Sequence, residues 1–562
     1  MSPLIECVPN FSEGRDPAVI ERITAAIRSV DGVALLHVDP GKSTNRTVVT
    51  FAGGPEPVVE AAFRGIRAAA ELIDMRRHKG EHPRMGATDV CPLVPISGIT
   101  MEETARYAVE LARRVGTELR IPVYLYEHAQ PDPARKNLSV IRSGEYEGFF
   151  EKIKEPDWAP DFGPAEMNPR VGATVIGARD FLVAYNVNLN TTSTRRANAV
   201  AFDVREIGRP KRDGDPLTGK PVLDQDGNPV MIPGTLRAVK AIGWYIEEYG
   251  IAQVSMNLTN LAVTPLHVAF DEVCDKAASR GLRVTGSELV GLVPLETMLE
   301  AGRYFLRKQQ RSTGVSEREL IHIAVKSLGL DELGPFDPDQ RIIEYRLRDR
   351  SIQRLVDRTV TGFADLTASE SVAPGGGSVS ALVGALGAAL GTMVANLSSH
   401  KRGWDARWRE FSDWADEGQA LKDRLLTLVD EDTRAFNAVM AALGLPKQTP
   451  EEKQARAAAL EAANLGATEV PFRVMETAFE AFDLIEAMVE HGNPASASDG
   501  AVGALCVRSA VLGAWLNVRT NVAGLKNKAA ADPWMKRGAE LAALAAEREA
   551  RIVARAEKHF EG

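Results

Sequence analysis

The stretch from Ser371 to Ser399 reads SVAPGGGSVSALVGALGAALGTMVANLSS and runs for 29 residues without a charged side chain. Its length would allow a membrane-spanning helix. Glycine and alanine dominate it, however, and they lack the bulk that makes insertion of a helix into lipid favourable. We therefore predict a helix buried on all sides inside a helical bundle. The GxxxG-like spacing of its glycines leaves a membrane span as the alternative.

The regions on either side of residue 335 differ in composition. Up to that point, short β-rich runs alternate with amphipathic runs such as Glu56 to Met75, which predicts an α+β half. A Pro- and Gly-rich segment divides this half into subdomains at 1–180 and 181–335. The second carries a polar insert at 208–234, predicted to be a surface hairpin with DGNP near its tip. We assign 336–355 to a linker and 356–562 to an all-α helical bundle.

The composition is that of ordinary globular protein and excludes several classes of partner. The net charge of −9 is spread over 562 residues without a basic stripe, so binding to nucleic acid is not expected. Four scattered cysteines form neither a disulfide framework nor a zinc motif. The chain also begins without the pattern of a signal peptide. We expect a cytoplasmic protein.

The string RRHKGEHPRMG contains His78, Glu81 and His82 in the H-x-x-E-H order of some zinc peptidases. Gly80 and Pro83 interrupt any helix there, so the two histidines need not share a face. A histidine on this loop can act as a general base, because neutral imidazole exchanges protons near pH 7. A purely structural histidine remains the alternative at this point.

A carboxylate replaces an apolar residue in RLLTLVDEDTRAFNAVMAALGLP. The apolar residues follow a spacing of four and three in which Asp432 takes the missing place; they are Leu425, Val429, Phe436, Val439 and Leu443. Burial there would raise the pKa of Asp432 towards the range of a general acid or base. A structural ion pair with an arginine of a neighbouring helix is the alternative. We expect Asp430 to be solvated.

The glycines Gly375, Gly376 and Gly377 precede the uncharged helix and allow its backbone to approach a ligand. No lysine follows them as in a nucleotide-binding P-loop, so no nucleotide is expected. The string GNPASASDG likewise precedes an apolar helix. Its Asp499 can serve as the N-cap of that helix.

Many of these strings resemble one family, the bifunctional formiminotransferase-cyclodeaminases. In the first half they include ECVPNFSEGR, STNRTV, DMRRHKGEHPRMGATDVCPLVP, DWAPDFGP and RIIEY. SVAPGGGSVSA, LVDEDTRAF and GNPASASD resemble the second half. The resemblance covers nearly the whole chain. It implies two ferredoxin-like α/β subdomains followed by the helical bundle.

The resemblance also implies a reaction. The formimino group of N-formiminoglutamate is transferred to N5 of tetrahydrofolate, and the adduct then cyclises to 5,10-methenyltetrahydrofolate with loss of ammonia. Tetrahydrofolate is thus a co-substrate, and no metal is expected. Polyglutamylated folates are further candidate substrates. Members of the family are oligomers, so we expect a homo-oligomer.

By the same resemblance, His82 is the acid/base of transfer, His78 its neighbour, and Asp432 the acid/base of cyclisation. Gly375, Gly376 and Gly377 would line the second pocket. The folate-contacting residues are expected to be Gly163, Pro164, Ala165, Glu166, Met167, Asn168, Pro169, Arg170, Val171 and Gly172. Arg46 is a candidate for clamping the carboxylate of the glutamate substrate, since a guanidinium can bind it bidentately.

Two alternatives concern the helical half. A related class of helical enzymes hydrolyses methenyltetrahydrofolate, and the PGGGS string does not separate it from a cyclodeaminase. The bundle could also be a non-catalytic oligomerisation module. Release of ammonia and the effect of replacing Asp432 distinguish these possibilities.

Overall fold

The computed structural model describes residues 3–41, 44–80, 83–214, 219–348 and 353–560. The chain forms two compact units. The first contains Met1–Ala301 and Val325–Arg348, and the second contains Gly302–Ala324 and Asp349–Gly562.

The first sheet of the first unit has seven strands: β1 (Leu4–Cys7), β2 (Asn10–Phe11), β3 (Val33–Gly41), β4 (Arg46–Gly53), β5 (Thr88–Ser97), β6 (Val123–Glu127) and β7 (Thr174–Ala178). Its helices are α1 (Pro17–Arg28), α2 (Pro55–Leu72), α3 (Met101–Arg114), α4 (Leu138–Ile141) and α5 (Glu145–Lys152). Strands β3, β4, β1 and β5 pair antiparallel in that order. The order β1-α1-β3-β4-α2-β5 along the chain makes this a ferredoxin-like arrangement. Strands β7 and β6 extend it in parallel.

The second sheet repeats the arrangement. The strands of this region are β8 (Val183–Leu189), β9 (Arg209–Pro210), β10 (Arg212–Asp213), β11 (Lys220–Pro221), β12 (Met231–Ile232), β13 (Val239–Ile246), β14 (Ile251–Leu258) and β15 (Val284–Val290). The helices are α6 (Thr194–Val204), α7 (Leu266–Ala278), α8 (Leu295–Lys308), α9 (Glu317–Leu328), α10 (Pro338–Arg341) and α11 (Ile343–Arg346). The sheet order β13-β14-β8-β15 is again ferredoxin-like. The predicted α+β class of this half is confirmed.

The insert at 208–234 forms short antiparallel pairs, β9 with β12 and β10 with β11. At its tip, Asp224 Oδ1 accepts hydrogen bonds from the backbone N–H groups of Asp226 and Asn228, and Gly227 has a φ of +81°. Asparagine and aspartate caps with a glycine of positive φ are typical of tight turns. The predicted surface hairpin is therefore present.

The first part of the predicted linker packs against the first unit. Ile342 and Ile343 are fully buried, and Ile343 contacts a cluster with Leu36 and Ala52. Residues 302–324, in contrast, group with the helical unit.

The second unit contains α12 (Val360–Thr367), α13 (Gly376–Ser399), α14 (Trp408–Leu443), α15 (Pro450–His491), α16 (Ala497–Ala523) and α17 (Asp532–Glu557). Helix α13 packs against α14, α15 and α16. Its glycines permit these contacts: Gly384 faces Ala510, Gly387 faces Val507 and Gly391 faces Leu484. The predicted all-α bundle with a Gly-rich helix in it is confirmed, but the expectation that this helix is buried on all sides is wrong, because Leu386, Met393 and Leu397 of α13 are exposed.

Two helical stretches, Gly376–Ser399 and Pro494–Ala523, are long and apolar enough to cross a membrane by length and composition alone. In α13, however, 14 of the 24 residues are buried by the neighbouring helices. This is the packing of a core helix.

Candidate active sites

Asn45 holds together the loop that precedes Glu81 and His82. Its Oδ1 accepts from Gly14 N at 3.1 Å, its Nδ2 donates to Lys79 O at 3.1 Å, and its own carbonyl oxygen lies 2.8 Å from His78 Nε2. Asn45 is buried and has a φ of +48°, which asparagine adopts more readily than most residues. Asn45 of the STNRT segment therefore fixes the position of the RRHKG loop by these hydrogen bonds.

Gly80 lies close against the backbone of Thr44 in the other string. A Cβ atom at Gly80 would lie 2.1 Å from Thr44 O, so a side chain cannot be accommodated without moving the backbone. The next two residues, Glu81 and His82, lie outside the described residues. The role predicted for His82 stays a prediction.

His78 is neutral in this arrangement. Arg84 Nε donates to His78 Nδ1 at 3.3 Å, so the ring proton lies on Nε2 and is donated to Asn45 O. Burial lowers the pKa of His78, and the nearby Arg84 cation acts in the same direction. Arg84 is in turn held by Glu147 at 2.7 Å. His78 therefore has a structural role in the described part of this loop, because it links Arg84 to the backbone of Asn45.

Arg46, the predicted carboxylate clamp, lies at the start of β4 in a group of charges. Burial lowers its pKa, whereas Asp89 raises it. Asp89 is fully buried, is bound by Arg142 at 2.7 Å and accepts from Met85 N at 3.0 Å. The positive charge of Arg46 is therefore partly balanced within the protein, and its role towards a substrate stays a proposal.

Glycines fix both ends of the segment 163–172. Gly163 and Gly172 have φ angles of +86° and +79°, and a Cβ atom on either would lie 2.3 Å from a carbonyl oxygen, of Ile121 and of Met85 respectively. Between them, Asn168 Oδ1 accepts from Arg170 N at 3.0 Å and from Val171 N at 3.2 Å. Those two N–H groups are thus already bound. The exposed residues of the segment are Gly163, Ala165, Glu166, Pro169 and Arg170.

Asp432 lies on α14 against the first turn of α13. Ser378 Oγ donates to Asp432 Oδ2 at 2.9 Å, and a Cβ atom at Gly377 would lie only 2.1 Å from Asp432 Oδ1. Burial raises the pKa of Asp432, opposed by hydrogen bonds from Ser378. Among the residues that the structure describes, no cation pairs with Asp432. The structural ion pair considered as an alternative is thus not seen.

The predicted apolar seam of α14 is present in part. Leu425 and Val429 are buried, whereas Leu443 is exposed near the end of the helix. Asp430 differs from the expectation of a solvated residue, because its Oδ1 accepts from Leu355 N at 2.6 Å. It ties the segment before α12 to α14.

The three glycines have different surroundings. Gly377 faces Asp432, Gly376 faces Asn517 of α16, and a Cβ atom at Gly375 would meet nothing within 4 Å.

Asp499 is not brought to this site. It lies in the first turn of α16, eighteen residues before Asn517, which is about 27 Å along a helix.

Each region of the chain that carries these residues matches a family model. Residues 4–179 match the N-terminal subdomain of the formiminotransferase domain, 184–348 match the formiminotransferase domain, and 359–540 match the model described as formiminotransferase-cyclodeaminase. The mouse formimidoyltransferase-cyclodeaminase is 45% identical over 523 residues, which cover 93% of each chain. The chain belongs to the formiminotransferase-cyclodeaminase family.

Two other relatives, each named for one activity, match a part of this chain. A glutamate formimidoyltransferase of Thermoplasma acidophilum is 44% identical over 306 residues, covering 54% of this chain and 92% of that protein. A methenyltetrahydrofolate cyclohydrolase of Methylorubrum extorquens is 38% identical over 191 residues, covering 34% of this chain and 90% of that protein.

The sequence alone missed several residues of these sites. Asn45 stands directly before Arg46 in the quoted STNRT string, and Ser378 follows the three glycines. Both are short polar residues in turns or helix starts, where they commonly bond to backbone. Only the fold shows that Asn45 bonds to the loop before His82 and that Ser378 bonds to Asp432.

Proposed function

We propose that this protein transfers the formimino group of N-formimino-L-glutamate to N5 of tetrahydrofolate and then cyclises 5-formiminotetrahydrofolate to 5,10-methenyltetrahydrofolate, releasing ammonia. The family matches to both halves of the chain support the two activities. The observation that carries the second activity is the position of Asp432, half-buried against Gly377 and bonded to Ser378.

In the transfer step, the N5 lone pair attacks the formimino carbon and forms a tetrahedral adduct. N5 then loses a proton, and the glutamate nitrogen gains one before it leaves. His82 carries these protons in our proposal. The bonds of Asn45 to Lys79 and His78 support it, because they fix the chain directly before His82.

The tetrahydrofolate ring binds along 163–172 in this proposal. The segment is held at both ends by glycines, and Gly172 packs against Met85 and Gly86, soon after His82 in the sequence. The exposed backbone near Ala165 offers hydrogen-bonding groups to a heterocycle. Arg46 is proposed to contribute positive potential for the substrate carboxylates.

In the cyclisation step, N10 attacks the amidine carbon of the adduct. The amino group must then be protonated so that the C–N bond breaks and ammonia leaves. A carboxyl group with a raised pKa can accept the proton of N10 and return it to the leaving nitrogen. Asp432 fits this role, because burial raises its pKa and it pairs with no cation among the described residues.

Hydrolysis of methenyltetrahydrofolate is the second candidate activity of the bundle. It is favoured by the match to the Methylorubrum extorquens cyclohydrolase over most of that protein. Both reactions pass through an adduct at the same carbon, so Asp432 would serve either. Ammonia is a product of cyclodeamination alone.

We further propose that the protein acts in the cytoplasm as a homo-oligomer. The cysteine usage supports the cytoplasm, because the four cysteines are scattered along the sequence without the spacing of a disulfide framework. The outer faces of α13 and α16 expose apolar side chains that a second copy of the chain can cover: Leu386, Met393, Leu397, Val502, Leu505 and Leu516.

The test incubates the purified protein with tetrahydrofolate and N-formiminoglutamate and follows methenyltetrahydrofolate by absorbance and ammonia in a coupled assay. We expect both products in equal amounts. Accumulation of the formimino adduct without ammonia would contradict the second activity, and no reaction would contradict the first. Hydrolysis of added methenyltetrahydrofolate, with no ammonia from the adduct, would establish the second candidate instead.

A further inference from the structure

Asn517 of α16 turns its side-chain amide towards the first turn of α13. A Cβ atom on Gly376 would lie 3.1 Å from Asn517 Nδ2 and 3.5 Å from its Oδ1. Nδ2 donates one hydrogen to Gly513 O at 2.8 Å, one turn earlier in the same helix. This bond fixes the plane of the amide next to Gly376.

Most of the bonding capacity of this amide is unused. Within the described part of the chain, the bond to Gly513 is the only hydrogen bond of the Asn517 side chain, which leaves Oδ1 and the second N–H of Nδ2 available. Asn517 is half-buried, but neither polar atom of its side chain is among the buried unpaired atoms of the described residues, so these atoms are accessible to a ligand. Asn521, one turn later, differs, because it donates to Ala467 O at 2.6 Å and so links α16 to α15.

Asp432 approaches the adjacent residue of α13. Its Oδ1 would be 2.1 Å from a Cβ atom at Gly377, and Asn517 faces Gly376. Consecutive Cα atoms lie about 3.8 Å apart, so the two side chains flank one peptide group. With glycine at both positions, no side chain of α13 separates them. A flat molecule resting on this peptide would reach both.

We propose that Asn517 binds the pterin ring of 5-formiminotetrahydrofolate during cyclisation. The pterin carries an N3–H donor beside the O4 acceptor, and the unused Oδ1 and N–H of Asn517 are the complementary pair. O4 lies on the same side of the ring system as N5, which bears the formimino group. Binding this edge holds the reacting carbon near Asp432. The inference rests on the proposed cyclodeaminase activity.

The test supplies 5-formiminotetrahydrofolate directly to the full-length protein, so that transfer is not required, and measures KM and kcat for ammonia release. For Asn517→Ala we expect KM to rise about tenfold or more, with kcat changed less than KM, since a lost neutral hydrogen bond weakens binding by about tenfold. Asn517→Asp, which loses the donor but keeps the size, should behave similarly.

Asn521→Ala is the matched control, since it removes the same side chain one turn along α16. We expect its KM to stay at the wild-type value even if its melting temperature falls. Wild-type KM in both Asn517 variants would overturn the proposal. So would a KM that rises equally in the Asn521 variant, since the effect would then be structural. If the wild-type protein itself releases no ammonia, the proposed function fails first, which the wild-type assay shows separately.

Discussion

Asp430 and Asp432 are two residues apart on α14 and have different surroundings. A separation of two residues turns them about 200° apart around the helix. Asp430 accepts a hydrogen bond from Leu355 N, whereas Asp432 faces Ser378 and Gly377 of α13. Both side chains are half-buried, but only Asp432 lies against the glycine-rich start of α13.

Replacing Asp432 by asparagine should abolish cyclisation and preserve transfer. The amide keeps the size of the side chain but cannot exchange the proton, so we expect the rate of ammonia release to fall by about 10²- to 10⁴-fold. Formation of 5-formiminotetrahydrofolate is measured in the same samples. The control is Asp423→Asn, an exposed position on the same helix. Loss of transfer or of folding in Asp432→Asn alone would indicate a structural role.

The same substitution should change how stability depends on pH. Burial raises the pKa of Asp432 above its ordinary value of 3.8. The folded state then binds this proton more tightly than the unfolded state does. The protonated Asp432 therefore contributes fully to the free energy of unfolding below the unfolded pKa, and this contribution is lost as pH rises through the folded pKa. We expect Asp432→Asn to melt at a higher temperature than the wild type near neutral pH. The difference should vanish in acid, as measured by circular dichroism.

Replacing Asn45 should lower the rate of formimino transfer and leave cyclisation unchanged. Asn45→Asp keeps the acceptor for Gly14 N but loses the Nδ2 donor to Lys79 O. We expect the transfer rate to fall about tenfold or more, because a displaced catalytic group loses much of its effect. Cyclisation of added 5-formiminotetrahydrofolate should be unchanged. Equal loss of both activities would contradict a local role and point to general misfolding.

The start of α13 shows how an element defines a site. Its N-terminal residues are glycines, so side chains from two other helices, Asp432 and Asn517, approach the backbone directly. Further along, Gly384, Gly387 and Gly391 serve the packing of the bundle. Glycine thus lets two side chains reach the backbone at the N-terminal end of α13, and it allows close helix packing along the rest of α13.

Gly377→Ala should therefore be far more harmful than Gly375→Ala. A methyl group at 377 would lie 2.1 Å from Asp432 Oδ1, whereas one at 375 meets nothing within 4 Å. We expect the alanine at 377 to displace the carboxylate and reduce ammonia release at least about tenfold, in line with the effect of misplaced catalytic groups. The variant at 375 should retain activity within about twofold, as surface substitutions do. Similar kinetics of the two variants would contradict the arrangement.

At the scale of the whole molecule, the exposed apolar faces of α13 and α16 should bind a second copy. Leu386 is 53% exposed on a helix that carries no charge. Leu386→Glu would bury a carboxylate in an apolar interface, and we expect the molar mass measured by light scattering to fall to that of a smaller species. The control is Leu544→Glu on α17, where the leucine is 41% exposed. An unchanged mass for Leu386→Glu would contradict this interface.

The sequence by itself determined that the first half of the chain is α+β and the second all-α, and it indicated which side chains could carry the chemistry. The alternation of β-rich and amphipathic runs, and the uncharged Gly- and Ala-rich stretch, follow from local periodicity, which each segment carries alone. Asp432 was visible because it interrupts such a period. Tertiary structure decided the rest: the bonds of Asn45 to the RRHKG loop, the bond of Ser378 to Asp432, the approach of Asn517, and the distance of Asp499 from them. These depend on residues 33 to 141 positions apart in the chain, and no local pattern encodes which distant side chain a backbone will meet.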